Sequence, residues 1–131
     1  MVGAGVKRRA ERRLASRRLI KYDADWTFTQ AMEHLPSERS RYRYFLWFHD
    51  RILASELRRH RAYFRDTSRA FGEDAFHAMW FKLFQEFRPM SAVEIGVYRG
   101  QTLTLWLLIA RYLGIATDVW VVTPLSSLGD S

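Results

Sequence analysis

Three residues in the stretch SAVEIGVYRG, Ser91 to Gly100, have the types and spacing to hold a ligand: Glu94, Gly96 and Gly100. Glu94 stands among Ala92, Val93, Ile95 and Val97, and a carboxylate in an apolar run is expensive to bury without a partner. A ligand would be such a partner. The glycines frame a turn between a short buried strand and a helix over Gln101–Tyr112. A turn of this kind points backbone N–H groups at whatever sits beside the helix N-terminus, and glycine lets the backbone come close and adopt φ > 0. Dinucleotide sites space their glycines as G-x-G-x-x-G to admit a pyrophosphate. Here the middle glycine is missing, and Tyr98 and Arg99 crowd its place. The pattern points away from NAD and towards a ligand without phosphates.

The run VEIGVYRGQTLTLW resembles motif I, E-x-G-x-x-x-G, of the class I S-adenosylmethionine-dependent methyltransferases, and is similar to their sugar- and natural-product-modifying branch. The preceding FGEDAFHAMWFKLFQEFRP resembles the helix those enzymes place before their first strand. The resemblance covers residues 60–131. It implies S-adenosylmethionine as cofactor and methyl transfer to a small-molecule acceptor such as a sugar or secondary metabolite. It further implies that Glu94 attracts the ammonium of the methionine moiety, often through water. The backbone at Gly96, Val97 and Tyr98 would line the methionine and ribose, and Gly100 would let the helix start pack close. In this family an acid at the end of the second strand binds the ribose hydroxyls. That place is held here by Thr123, followed by Pro124, which is a departure; Asp130 in the loop beyond is the alternative. Arg99 either pairs with the methionine carboxylate or faces solvent, and solvent is favoured. His77 and Tyr63 stand where neighbouring helices would cover a cofactor, though core or surface roles are the plainer reading. Methyl transfer asks a protein mainly to position the acceptor, with a base where the acceptor must lose a proton. In this fold such groups lie at the ends of later strands, so no catalytic base is assigned.

Strand, glycine turn, helix and a second strand over Asp118–Thr123 make one βαβ unit of a Rossmann-like sheet. The expected fold is α/β, with N-terminal helices ahead of this unit. Residues 22–37 are mixed, with Trp26 and Phe28 as anchors, Pro36 as a breaker and Ser37 as an N-cap. From Glu38 to Arg65 the helical period is continuous through Tyr42, Phe45, Leu46, His49, Ile52, Leu53, Glu56, Leu57 and His60. No histidine stands four residues from His49 or His60, so neither makes a metal pair on its helix, and no metal site is expected. Asp66–Gly72 reads as a loop. Glu73 and Asp74 open a helix whose core stripe is Phe76, Met79, Trp80, Leu83, Phe84 and Phe87, closed by Arg88-Pro89. The helix after Gly100 is apolar nearly all round and should be covered on more than one side, with Gly114 as its stop.

The organisation read from this pattern is a basic tail at 1–21, a helical region at 22–90 and the start of a cofactor-binding domain at 91–131. Two parallel strands leave open edges and an uncovered face. The expectation is therefore an incomplete domain, the N-terminal part of a longer protein and inactive alone.

The chain of 131 residues suffices for one modest core. Cysteine is absent, which removes disulfides and thiolate metal sites and fits a reducing compartment. Lys7, Arg8, Arg9, Arg12, Arg13, Arg17, Arg18 and Lys21 face Glu11 alone within the first 21 residues, which accounts for the whole net charge of +7. The basic character thus belongs to the tail, which suits a solvated helix or contact with an anionic surface, and gives no sign of a nucleic-acid-binding face on the rest. No apolar run reaches a membrane span or a secretory core, so the cytoplasm is the default. Two other readings stand beside the methyltransferase. One is a related hydroxylase or sugar-processing enzyme with the same E-I-G-x-x-x-G pattern and a metal ligand set after the second strand. The other is a non-enzymatic module that binds an anionic partner through its tail.

Overall fold

The computed structural model describes residues 21–123. They form a mostly helical α/β fold with five helices and a two-stranded parallel sheet. The expectations for the tail, Pro124 and Asp130 lie outside the described residues.

Helix α1 (Phe28–His34) arises in the segment read as mixed. Thr27 and Gln30 form a reciprocal capping box at its start, and Glu86 accepts the N–H of Thr29 at 2.8 Å. Its C-terminal carbonyls would be orphaned by Pro36. Arg41 covers them, donating from Nε to Leu35 O and from Nη2 to Met32 O, both at 3.0 Å. Helix α2 (Glu38–Arg51) is capped by Ser37 as expected, with Ser40 completing a second capping box.

The continuous helix expected over 38–65 is two helices. Ile52 leaves the helical path, Ala54 is extended, and α3 (Ser55–Asp66) starts afresh. The break turns Leu53 and Leu57 into the core and leaves Ile52 outside. Burial of those two leucines, worth roughly 1.5–3 kcal/mol each, outweighs the few helical hydrogen bonds lost at the joint.

Helix α4 (Asp74–Phe87) is central and packs against α1, α2 and α3, and against α5 (Gln101–Leu113). It ends as expected, with Arg88 left-handed at φ 43° ahead of Pro89. Its buried face differs from the expected stripe. Ala75, His77, Ala78, Phe81, Lys82 and Phe84 are buried, whereas Phe76 and Phe87 are exposed. The core around it contains Tyr44, Phe48, Leu57, Leu105, Trp106 and Ile109.

Two buried polar side chains, one on α4 and one on α2, are satisfied by distant backbone. Lys82 Nζ donates to Ala24 O at 2.6 Å and Trp26 O at 2.7 Å, and lies 4.4 Å from the Phe48 ring centroid. Desolvation lowers its pKa, while Asp25 and Asp23 pull the other way. Lys82 thereby ties the segment before α1 to the core. Tyr44 does the same from α2, donating to Asp23 O at 3.0 Å. Burial, with Asp23 and Asp25 nearby, pushes its pKa up to about 12.

Strands β1 (Ser91–Ile95) and β2 (Asp118–Val122) pair in parallel, from Ser91↔Asp118 to Ile95↔Val122, and α5 runs between them. Helix α5 is bounded by left-handed Gly100 and Gly114. It is covered on one side only: Leu105, Trp106, Ile109 and Ala110 are buried, and Leu107 and Tyr112 are exposed. The sheet is likewise one-sided, which corrects the reading of β1 as a buried strand. Ala92 and Val119 pack on the helical core, while Val93, Ile95, Trp120 and Val122 face outwards. Strand side chains alternate between faces, and the helices occupy only one. No helix among the described residues is long and apolar enough to cross a membrane.

Candidate functional site

The predicted site residues Glu94, Gly96, Val97, Tyr98 and Gly100 fall on the end of β1 and the turn into α5, and Thr123 follows β2 beside them. Parallel pairing brings the two strand ends together: Gly96 N–H donates to Val122 O at 2.8 Å. Three of the five residues from Gly96 to Gly100 are left-handed, with φ of 79° at Gly96, 52° at Arg99 and 74° at Gly100. A Cβ built on either glycine meets nothing within 4 Å. Glycine here serves the backbone conformation, and the space beside it is open. Arg99 adopts the same region without that licence, which costs about 1 kcal/mol.

Glu94 is half-buried, on the same face as Ala92. Its Oε2 is buried and has no hydrogen-bond partner among the described residues. Leaving a buried acceptor unmade costs roughly 1–3 kcal/mol. Helix α5 starts without a side-chain cap and without an acid in its first turn. Its leading N–H groups and its positive dipole end are thus uncommitted to any side chain. The turn presents an unpaired carboxyl oxygen on one side and backbone donors on the other. That combination suits a ligand carrying both a cationic or N–H group and acceptor atoms.

The remaining candidates separate. Val97 is half-buried, and Tyr98 is exposed and stacked on Phe71, with centroids 5.8 Å apart and planes inclined by 23°. Arg99 is exposed, its Cζ 5.5 Å from the Tyr98 ring centroid, in line with the solvent reading. Thr123 is half-buried, and no carboxylate follows β2 among the described residues. Tyr63 is half exposed. His77 is buried in the core beneath α3 rather than over the turn.

A polar chain absent from the sequence reading ends at this turn. His77 Nε2 lies 3.1 Å from His60 Nδ1, His60 Nε2 lies 2.8 Å from Thr104 Oγ1, and Thr104 Oγ1 lies 2.7 Å from Gly100 O. The carbonyl can only accept, so the hydroxyl hydrogen of Thr104 goes to it. His60 Nε2 must then donate to Thr104, His60 Nδ1 must accept, and His77 Nε2 must donate. One tautomer of each ring satisfies every link, with both rings neutral. Burial, with His60 and Arg61 nearby, lowers the pKa of His77 to about 3, and burial also lowers that of His60. Seventeen and 44 positions separate the linked residues, so no local spacing signals them.

His49, Asp50 and Asp74 bring potential ligand atoms within 4.8 Å of one another. They are already engaged. His49 Nδ1 is 2.9 Å from Asp50 Oδ1, Arg61 Nε holds Asp74 Oδ1 at 2.9 Å, and Arg65 Nη1 holds Asp74 Oδ2 at 3.3 Å. Two guanidinium groups on the one central carboxylate oppose a cation there, and the cluster is an ion-pair junction between α2, α3 and α4.

Comparison of the chain with protein-family models, with curated proteins and with solved structures gives no match.

Proposed function

We propose that the β1–α5 turn is the cofactor site of an S-adenosylmethionine-dependent methyltransferase with a Rossmann-like unit, acting on a small-molecule acceptor such as a sugar or secondary metabolite. The observation that carries the reading is the buried, unpartnered Oε2 of Glu94 beside two left-handed glycines with open space above them. Those residues fit the methionine end of the cofactor. Glu94 would hold its ammonium, directly or through water. The backbone of Gly96, Val97 and Tyr98 would line it, and Gly100 would keep the start of α5 free of a side chain that blocks approach. The cofactor, when bound, supplies an electrophilic methyl group. The fit is weaker at the adenosine end, where Thr123 offers one hydroxyl in place of a carboxylate.

Calorimetric titration with S-adenosylhomocysteine tests the reading, on the chain and on a Glu94→Ala, Gly96→Val variant. Binding that disappears in the variant supports it. Binding of equal strength by the variant sinks it, as does no binding by the longest form of the protein that can be expressed.

A further inference from the structure

A cavity of about 310 Å³ opens between the α3–α4 loop and the β1–α5 turn. Its walls include Arg61 and Arg65 from α3, Ser68, Phe71 and Gly72 from the loop, and Tyr98 from the turn. The only charged side chains among the lining residues are the two arginines.

Arg61 is 6% exposed, and two of its three guanidinium nitrogens are engaged. Nε donates to Asp74 Oδ1 and Nη2 donates to Gly72 O, but the buried Nη1 has no partner among the described residues. A guanidinium has five N–H donors in a fixed plane, so locking two edges leaves the third aimed in a set direction. An orphaned buried donor of a charged group is costly, and an incoming anionic oxygen would relieve it. Arg65, four residues on and on the same helix face, is half exposed. Asp66 and Asp74 pair with these arginines, and neither lines the cavity.

The opposite wall is aromatic. Phe71 is 88% exposed yet ordered against Tyr98 in a stacked pair. A Cβ on Gly72 would fall 2.8 Å from Gln101 Nε2, the movable end of a side chain at the start of α5.

We propose that this cavity binds the carboxylate of a small molecule, with Arg61 Nη1 as the principal donor, Arg65 as the second cation and the Phe71–Tyr98 pair as a flat apolar wall. The two acids behind the two arginines offset their formal charge, so a phosphate dianion is disfavoured and a carboxylate would be held by directed guanidinium N–H donors rather than by net charge. Tyr98 belongs to the proposed cofactor turn, so the site deepens that reading and rests on it for its biological role. The carboxylate belongs either to the amino-acid end of the cofactor or to the methyl acceptor.

The test is a two-dimensional NMR titration of the full chain with sodium benzoate, and with benzamide as the neutral isostere. Benzoate should shift the amides of Gly72 and Tyr98 and the Nε–H of Arg61 in a saturable manner, and benzamide should not. Arg61→Lys, which keeps a charge but loses the planar donor edge, should weaken benzoate at least tenfold. Arg65→Gln, on the rim, should weaken it several-fold with the fold intact. No saturable shift with benzoate, or equal shifts with benzamide, overturns the proposal. Displacement of benzoate by S-adenosylhomocysteine but not by methylthioadenosine assigns the carboxylate to the cofactor. Simultaneous binding of benzoate and S-adenosylhomocysteine assigns it to the acceptor. Benzoate binding with no S-adenosylhomocysteine binding upholds the carboxylate site and overturns the methyltransferase reading.

Discussion

His77 Nε2 lies 3.1 Å from His60 Nδ1, and the hydrogen between them belongs to His77 because the far nitrogen of His60 must donate to Thr104. Helices α3, α4 and α5 meet in this contact, and its last link is the carbonyl of Gly100.

Acid should loosen this junction. The His77 pKa falls from an ordinary 6.5 to about 3 in the folded chain. Between those values the unfolded state binds more protons, so stability is complete above about pH 6.5 and declines as pH drops towards 3, by at most about 1.4 kcal/mol per pH unit from His77 alone, with His60, also lowered by burial, adding to the loss. Glu86, whose pKa is lowered by its bond to the Thr29 N–H, adds a loss in the same direction only below its ordinary 4.5. Urea unfolding at pH 7.5, 6 and 5 should show the decline in the native chain and a shallower one in His77→Asn. Parallel profiles for the two chains would refute the assignment.

Lys82 should be structural. Lys82→Met keeps the length of the side chain but leaves Ala24 O and Trp26 O without their donor. We expect a loss of about 2–4 kcal/mol, read as a lower urea midpoint, with the fluorescence of Trp26 changing first. An unchanged midpoint would mean that these carbonyls find water instead.

Glu94 should be dispensable for folding and essential for binding. Its buried Oε2 makes no bond, so Glu94→Leu should leave the melting temperature unchanged or raise it. The same change should abolish retention of S-adenosylhomocysteine. A large fall in melting temperature would show instead that the carboxyl has a structural partner.

Gly100→Ala separates backbone strain from site access. At φ 74° an alanine costs about 1 kcal/mol, and its methyl meets no protein atom within 4 Å. Stability should fall by that modest amount, whereas cofactor binding should fall at least tenfold because the methyl occupies the approach. Comparable small effects on both would remove Gly100 from the site.

Features written in neighbouring residues were legible from the sequence. Ser37 caps α2, Gly114 closes α5, and Arg88-Pro89 ends α4 because caps and breakers act within one turn. Glu94 stood out because its apolar neighbours are adjacent in the chain. The break at Ile52–Ala54 has no proline or glycine to announce it; Leu53 and Leu57 enforce it through a core assembled from other helices. The buried face of α4 is only partly legible: Phe84 is buried and Met79 and Trp80 pack on the core, but Phe76 and Phe87 are exposed, and Lys82 and His77 go unrecognised because they are polar. Their burial depends on carbonyls 58 and 56 positions away and on a histidine 17 positions away. The Arg61 cavity escaped for the same reason: its two walls come from α3 with its loop and from a turn beyond β1.

The parallel pairing of β1 with β2 has a consequence for folding order. The strands meet only after α5 has formed and the chain has closed over it, and such non-local closure comes after local helix formation. The four helices ahead of β1 can consolidate around Tyr44, Phe48, Leu57 and Phe81 before the glycine turn has a shape. The glycine turn is then expected to be the last part of the chain to mature and the first to open. With neither edge of the sheet paired among the described residues, the amides of Ile95 and Val122 should exchange with solvent deuterium well ahead of those of Phe81 and Phe84. A bound cofactor would act as the clasp that closes this gap in protection.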